Sequence, residues 1–460
     1  MTKTFNWSVE SQSGITLTTH FTVENLTPDS EYKIQINNEV FFAKTSKKKR
    51  KIDITKAPYN LTGSGKSLET RIIQKAIDDT GTNDVLYFPK GIYLTGALNL
   101  HSDMEIYLDD GAILKGSEFE KDYEPKRKSR FEGCEMMCFS SLLNLGTLDH
   151  KSGPNASNVI IRGYGTIESG GKKLASEIIE NERERLKDYL TKLGDKVLEC
   201  ENLDTIPGRV RPRLINLSNA ENVRISGITL KNGASWNVHM IYSKNIVTDH
   251  CIFYSENVWN GDGWDPDSSE NCTLFASRFF TGDDSVAIKS GKNPEGNKIN
   301  RATKNVMIFD CQSEYGHGIS IGSEISGGIE NVHIWDTDLS RSMYGIEIKA
   351  TRKRGGYVKN VKVENSKLPR LLIHKVKYND DGDGAKSAPI FKDFLYNKIE
   401  LTGKYLDTDG DKKTKKCAVI EMDGFDEMEN IVFKDITIPK NAKIKINNAN
   451  GISLENIITK

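Results

Sequence analysis

At 460 residues, with 64 basic and 64 acidic side chains, the chain is long enough for a sizeable core, and its formal charge of zero excludes a general nucleic-acid coat. No run approaches the ~18 consecutive apolar residues of a membrane helix, so neither nucleic acid nor membrane is an expected partner. The opening MTKTFNWSVESQSG lacks the basic, apolar and small-residue zones of a secretory leader, which points to a cytoplasmic protein, or a secreted or periplasmic one if a leader has been removed.

Residues 1–46 read as a small separate β module. Phe21 to Leu26 alternate, Thr27-Pro28-Asp29-Ser30 is a turn signal, and Tyr32 to Ala43 alternate again. The leucine-threonine-proline turn before a tyrosine-bearing strand resembles the end of a fibronectin type III sandwich, although the segment is shorter than the ~100 residues such a domain needs. The basic run Lys47 to Lys51 opens a linker over 47–56 and reads as solvated. Leu68, Ile72, Ile73, Ala76 and Ile77 then fall at helical spacing, with Ser67 as the expected N-cap. Short β runs come next at 85–88, 91–94, 104–108 and 113–116.

The organising feature is an internal repeat. Asn158, Asn222, Asn245, Asn271, Asn305, Asn331, Asn360, Asn430 and Asn456 each precede a short run of alternating apolar residues, and from 222 to 360 the steps are 23, 26, 34, 26 and 29 residues. Units this small cannot bury a face alone, so they must stack. Short β-branched strands with one turn-forming Asn per unit predict an all-β fold, a parallel β-helix over residues 57–460 with coils at the ~4.8 Å inter-strand distance. Stacked asparagines are then able to bond coil to coil. Residues 172–199 break the pattern as an amphipathic helical insertion, which either walls a cleft or merely covers one side.

Chemistry concentrates in Asn260-Gly261-Asp262-Gly263 and Gly282-Asp283-Asp284-Ser285. Asp262 and Asp283 are 21 residues apart, close to one coil; His317 lies 34 residues beyond Asp283, and Lys349 a further 32. Stacking at that period lines one groove with three carboxylates, a histidine and a lysine. Carboxylates packed together cannot all ionise, so a protonated acid coexists with a carboxylate base, which is the pairing glycoside hydrolysis requires. Adjacent Asp283 and Asp284 point to opposite faces of a regular strand, so the backbone must turn there, and Gly282 permits it.

The ordered motifs NGDG, GDDS, GHG and a later I-K pair resemble the polygalacturonases of glycoside hydrolase family 28, whose members are right-handed parallel β-helices that cleave pectin backbones with inversion. The resemblance covers roughly residues 57–460. It implies that Asp283 is the general acid, that Asp262 and Asp284 activate the attacking water, and that His317 orients the acid. Lys349 would bind a galacturonate carboxylate and Asn260 would hold the geometry. Ser235 to His239 is similar to a segment that flanks the groove in bacterial members, which brings Trp236 and His239 in as substrate-binding candidates.

One departure matters. Glu347 stands where many members carry arginine, and a glutamate there repels a uronate. Either the sugar differs or another arginine substitutes, the candidates being Arg352, Arg354, Arg209, Arg211 and Arg213. Neither metal nor organic cofactor is expected: the seven cysteines have no ligand-type spacing, and Asp265/Asp267, 380–384 and 407–411 read as solvated acidic turns. The resulting expectation is an inverting, exo-acting hydrolase of pectic poly- or oligogalacturonides. The alternatives are an exo-acting rhamnogalacturonan or rhamnoside hydrolase of the same family, a non-catalytic polysaccharide-binding β-helix, and a lyase on the same architecture.

Overall fold

The computed structural model describes residues 4–425 and 428–460. Strands Phe5–Val9, Gln12–Thr16, Glu31–Ile36 and Glu39–Lys44 form one antiparallel sheet in the order second, first, third, fourth, so the N-terminal segment is a single sheet and not a sandwich. The basic run is only in part a linker. Arg50 and Lys51 open the strand Arg50–Asp53, which pairs in parallel with Asp84–Phe88 at the end of a 15-stranded sheet.

From there the chain is a right-handed parallel β-helix with three long sheets of 15, 11 and 7 strands. Its interior is built by register. Val159, Val223, Ile246, Cys272, Val306, Val332 and Val361 are Cα partners from one coil to the next and are all buried. Because side chains alternate along each strand, one apolar residue per coil at a fixed phase suffices to build a continuous column.

The repeat asparagines sit in that same sheet in the left-handed region, with φ from 54° to 60° between Asn158 and Asn360. A left-handed residue lets the strand turn its flanking residues back inward, and Asn tolerates it better than other non-glycine residues. Each Nδ2 donates to the Oδ1 of the Asn one coil earlier: 222 to 158 at 3.2 Å, 245 to 222 at 3.1 Å, 271 to 245 at 3.0 Å, 305 to 271 at 2.9 Å, 331 to 305 at 3.1 Å and 360 to 331 at 3.1 Å. At the C-terminal end the partner changes, since Asn430 donates to Asp393 and Asn456 to Asp435.

The first helix is Thr70–Asp78, shorter than the sequence spacing suggests. Its N-cap is Glu69, because Ser67 turns its hydroxyl to the Glu69 carboxylate instead of to a helical N–H. Ile73, Ala76 and Ile77 pack toward Gly91–Thr95 and Leu98–Leu100, the outermost strands of their sheets, and so cover the open end of the solenoid. The insertion is a bent pair of helices, Gly171–Arg185 and Lys187–Leu193, continued by a 3-10 turn, Gly194–Glu199; its first half packs on the solenoid through buried Leu174 and Ile178, and its second half buries no side chain. All seven cysteines are free thiols, five of them buried.

Candidate active site

Register brings the chemistry together. In the 11-stranded sheet Trp264, Val286, Ile319 and Ile346 are successive Cα partners. Asp262, Asp284, His317 and Tyr344 each lie two residues before one of these partners, so the four stack at the mouths of consecutive coils. The one-coil partner of Asp262 is therefore Asp284, and Asp283 is the extra residue of the bend. That bend lies in the loop between Arg278–Phe280 and Val286–Ile288, which frees both carboxylates to face the site. Gly282 contributes space: a Cβ there would come within 2.4 Å of the Val258 carbonyl oxygen and 2.6 Å of that of Ser255. Gly316 contributes both space and conformation, at φ 117° with a Cβ 2.3 Å from Thr281 Oγ1.

Asp283 is held from three sides. His317 Nδ1 lies 3.0 Å from its Oδ1, Asn260 Nδ2 donates to its Oδ2 at 3.3 Å, and the His317 backbone N–H donates to its carbonyl at 2.9 Å. Asn260 is itself fixed by buried Arg211, whose Nη2 donates to its Oδ1 at 2.6 Å. Asp262 receives Lys289 Nζ at 3.2 Å and leaves its Oδ1 without a hydrogen bond; Asp284 Oδ2 lies 3.5 Å from Lys349 Nζ, and its Oδ1, which accepts no hydrogen bond, lies 3.6 Å from His317 Nδ1. His317 Nε2 meets both oxygens of Asp409, at 2.9 and 3.1 Å.

The electrostatics separate these groups. Burial pushes the Asp262 carboxyl well above its ordinary value and Asp265 adds to it, with Lys289 opposing. Burial also presses the Asp283 carboxyl upward, yet His317, with Lys349 and Lys289 behind it, outweighs that and holds it down at about 2. His317 moves the other way: burial disfavours its charge, but Asp283, Asp284 and Asp409 together hold it well above the usual imidazole range. Glu201, at the cavity wall, is pushed up to about 7 by its partial removal from water and by Asp283 and Glu132, with Lys349 and His317 opposing.

The cavity here measures about 180 Å³. That is below the ~300 Å³ where drug-sized ligand pockets begin, and on the scale of one monosaccharide. A larger cleft of about 920 Å³ lies between the N-terminal sheet and the later coils, lined by Leu17, His20, Asp310 and Asp336 among others, and touches none of these carboxylates. The small cavity is walled on one side by loops that the sequence presents as solvated turns. Glu201, Tyr378, Asn379 and Asp409 line it. Arg209 grips Asp381 through both guanidinium nitrogens at 3.0 Å, Lys292 also pairs with Asp381, and Glu201 N donates to Asn379 Oδ1 at 2.9 Å. Of the insertion, only the C-terminal end at Glu199 takes part, through Lys353 at 2.9 Å.

Several expected site residues are placed otherwise. His239 does not line the cavity: it is fully buried beneath Trp236, within 3.3 Å of Asp267, and burial lowers its pKa to about 4. Arg354 is likewise buried outside the cavity, donating to the Ser323 carbonyl at 3.2 Å and to Asn293 Oδ1 at 2.6 Å, so it braces the wall. Asp265 and Asp267 are not solvated; both are fully buried, the latter paired with Arg130 at 3.0 Å. Trp236 does line the cavity, stacked on Phe131 with Lys289 Nζ 4.6 Å from its ring centre. None of the five candidate arginines lines the cavity; Glu347 does, in contact with Lys349 Nζ at 2.8 Å and His374 Nε2 at 2.7 Å.

Lys289, His374 and Tyr344 escaped the motif reading. A coil-period search would have found them, since His374 is the Cα partner of Lys349 and Tyr344 keeps the phase of His317. Asp283, Asp284 and His317 offer ligand atoms all within 4.8 Å of one another, but the imidazole nitrogen facing Asp283 is engaged in their charge pair.

The family model for glycosyl hydrolases family 28 matches residues 152–449. An exo-poly-alpha-D-galacturonosidase of Dickeya chrysanthemi is 28% identical over 375 residues, which are 76% of this chain and 62% of that protein. A probable polygalacturonase of Vitis vinifera is 31% identical over 322 residues, 67% of this chain and 59% of that protein. The chain thus spans about three fifths of the length of these curated relatives. The solved structure of the Yersinia enterocolitica family 28 exopolygalacturonase matches with a TM-score of 0.74 at 22% identity, over 99% of this chain and 93% of that one, a likeness of fold.

Proposed function

The chain belongs to glycoside hydrolase family 28, and from that premise we propose that it is an inverting hydrolase releasing single galacturonate units from the ends of pectic poly- or oligogalacturonides. The observation that carries this reading is the small cavity of about 180 Å³ that holds Asp262, Asp283, Asp284 and His317 together and is walled by Glu201, Tyr378, Asn379 and Asp409. A chain end fits such a space, whereas a continuous polymer needs an open trough. The names of the similar proteins from Dickeya and Yersinia agree with exo action.

The mechanism is a single displacement. A water between Asp262 and Asp284 attacks the anomeric carbon, losing its proton to one of these carboxylates, while the bond to the leaving oxygen breaks and that oxygen takes a proton from Asp283. In the free site the mobile proton of the Asp283–His317 pair rests on the imidazole, as their opposed shifts require. Bound substrate expels water from around Asp283, and the proton passes across the 3.0 Å contact as negative charge develops on the leaving oxygen. Lys289 Nζ lies 3.2 Å from Asp262 and Lys349 Nζ 3.5 Å from Asp284, which sets a cation beside each of the other two carboxylates.

Glu347 favours a second reading, a neutral sugar such as rhamnose at that position, because it already engages Lys349 Nζ at 2.8 Å and His374 Nε2 at 2.7 Å. Product analysis on trigalacturonate, polygalacturonate and rhamnogalacturonan oligomers separates the two. Galacturonate monomer released by the wild type and lost in Asp283→Asn is the expected result. Turnover of rhamnogalacturonan alone would replace the first reading with the second, and no cleavage by the wild type of any of the three would overturn both.

A further inference from the structure

We propose that Asp409 is a positioning residue for this reaction, holding the His317 ring so that Nδ1 faces Asp283. The inference rests on the hydrolase reading above. Asp409 lies 92 residues beyond His317, in the turn of a hairpin whose strands are Lys404–Leu406 and Thr414–Lys416. That hairpin is fastened over the site. Tyr315 OH donates to the Thr408 carbonyl at 3.3 Å, Thr408 Oγ1 contacts Met343 Sδ at 3.6 Å, Lys415 pairs with Asp407, and Asp407 and Thr408 are buried. From this base the Asp409 carboxylate reaches Nε2 with both oxygens.

The groups facing His317 are Asp283, Asp284 and Asp409, with the Tyr344 ring edge-on at 5.0 Å, Glu201 across the cavity, and Lys349 beyond, committed to Asp284 and Glu347. Carboxylates at both ends of the ring require donors at both nitrogens, so the imidazolium is the form the geometry selects. Without Asp409 only one end is held. The ring is then free to turn Nδ1 away from Asp283, and it loses one of the charges that keep it protonated. A weaker anionic surround lowers the pKa of His317, so the proton that Asp283 must deliver is lost at lower pH.

The test compares wild type, Asp409→Asn and Asp409→Glu, with kcat/KM measured against pH on oligogalacturonate. In parallel, the His317 imidazole is titrated by NMR in the substrate-free proteins, with its resonance assigned by its disappearance in His317→Gln. In Asp409→Asn the alkaline limb and the NMR midpoint should both move down by about 1 pH unit, while Asp409→Glu largely restores both. Above the limb the loss is about tenfold, at an unchanged melting temperature. An NMR midpoint that stays put, or one that moves while the alkaline limb does not, overturns the inference. A wild type that cleaves no substrate while its NMR midpoint responds as expected counts against the hydrolase reading instead.

Discussion

On the exo reading proposed above, Asp381→Ala should add cuts within chains to cuts at their ends. Asp381 ties the 378–384 loop to the cavity wall by accepting two parallel bonds from Arg209 at 3.0 Å and by pairing with Lys292, whose side chain is 1% exposed. Burial raises its carboxyl pKa, but the two cations outweigh that and hold it well below the usual carboxylate range. Because the folded value lies below the unfolded value of ~3.9, the stabilisation is fully present above about pH 4 and disappears only as the pH falls through the folded value. Removing one partner of a buried pair costs about 3–5 kcal/mol. Asp381 is 28% exposed and Arg209 keeps Glu132 at 2.9 Å, which discounts this to about 2 kcal/mol. The ratio of open to closed loop should then rise about 30-fold, taking ~1.4 kcal/mol per factor of ten. Other ties remain, including Thr351 to Asp380 at 2.7 Å and Asn293 to the Asp383 carbonyl at 3.1 Å, so the loop opens without global unfolding. Labelled hexagalacturonate reports the result: wild type sheds monomers stepwise, and the variant adds dimer and trimer from internal cuts. Amide exchange over 378–384 should rise in parallel, and Lys292→Met in the variant background should recover stability without restoring the wall. Unchanged products together with unchanged exchange would refute the argument that this clamp sets the mode of cleavage.

Asn271→Ala breaks its bonds to Asn245 and from Asn305, each worth about 0.5 kcal/mol at this exposed position, and places alanine at φ 54°, for about 1 kcal/mol more. Denaturant unfolding should therefore show a loss of about 2 kcal/mol, roughly twice that of Asn271→Gly, and equal losses would remove the backbone part of the account. Glu347→Gln unpairs Lys349 from one carboxylate and should lower KM for oligogalacturonate about fivefold, the ~1 kcal/mol expected of a partly freed cation. A rise in KM would show that no uronate carboxylate sits there.

The repeat, the β-helix it demands and the clustering of Asp262, Asp283, Asp284 and His317 were legible in the amino-acid order alone. Each depends on spacing within or between adjacent coils, and in a solenoid a residue one coil away is also one layer away, so periodicity reads out as contact. The left-handed asparagines show the same logic, since Nδ2 of each meets the Asn one period earlier. Segments that leave the coils obey no such rule. Asp409 and Asp381 belong to acidic loops that resemble solvated turns, yet they meet His317 and Arg209 across 92 and 172 residues. The same limit applies to burial. His239, Asp267 and Arg354 carry groups suited to binding a sugar, but packing against Trp236, Arg130 and Asn293 commits them to the protein interior. Local periodicity thus determined where the carboxylates stack, and long-range loop packing decided which groups reach the sugar and how the groove is closed.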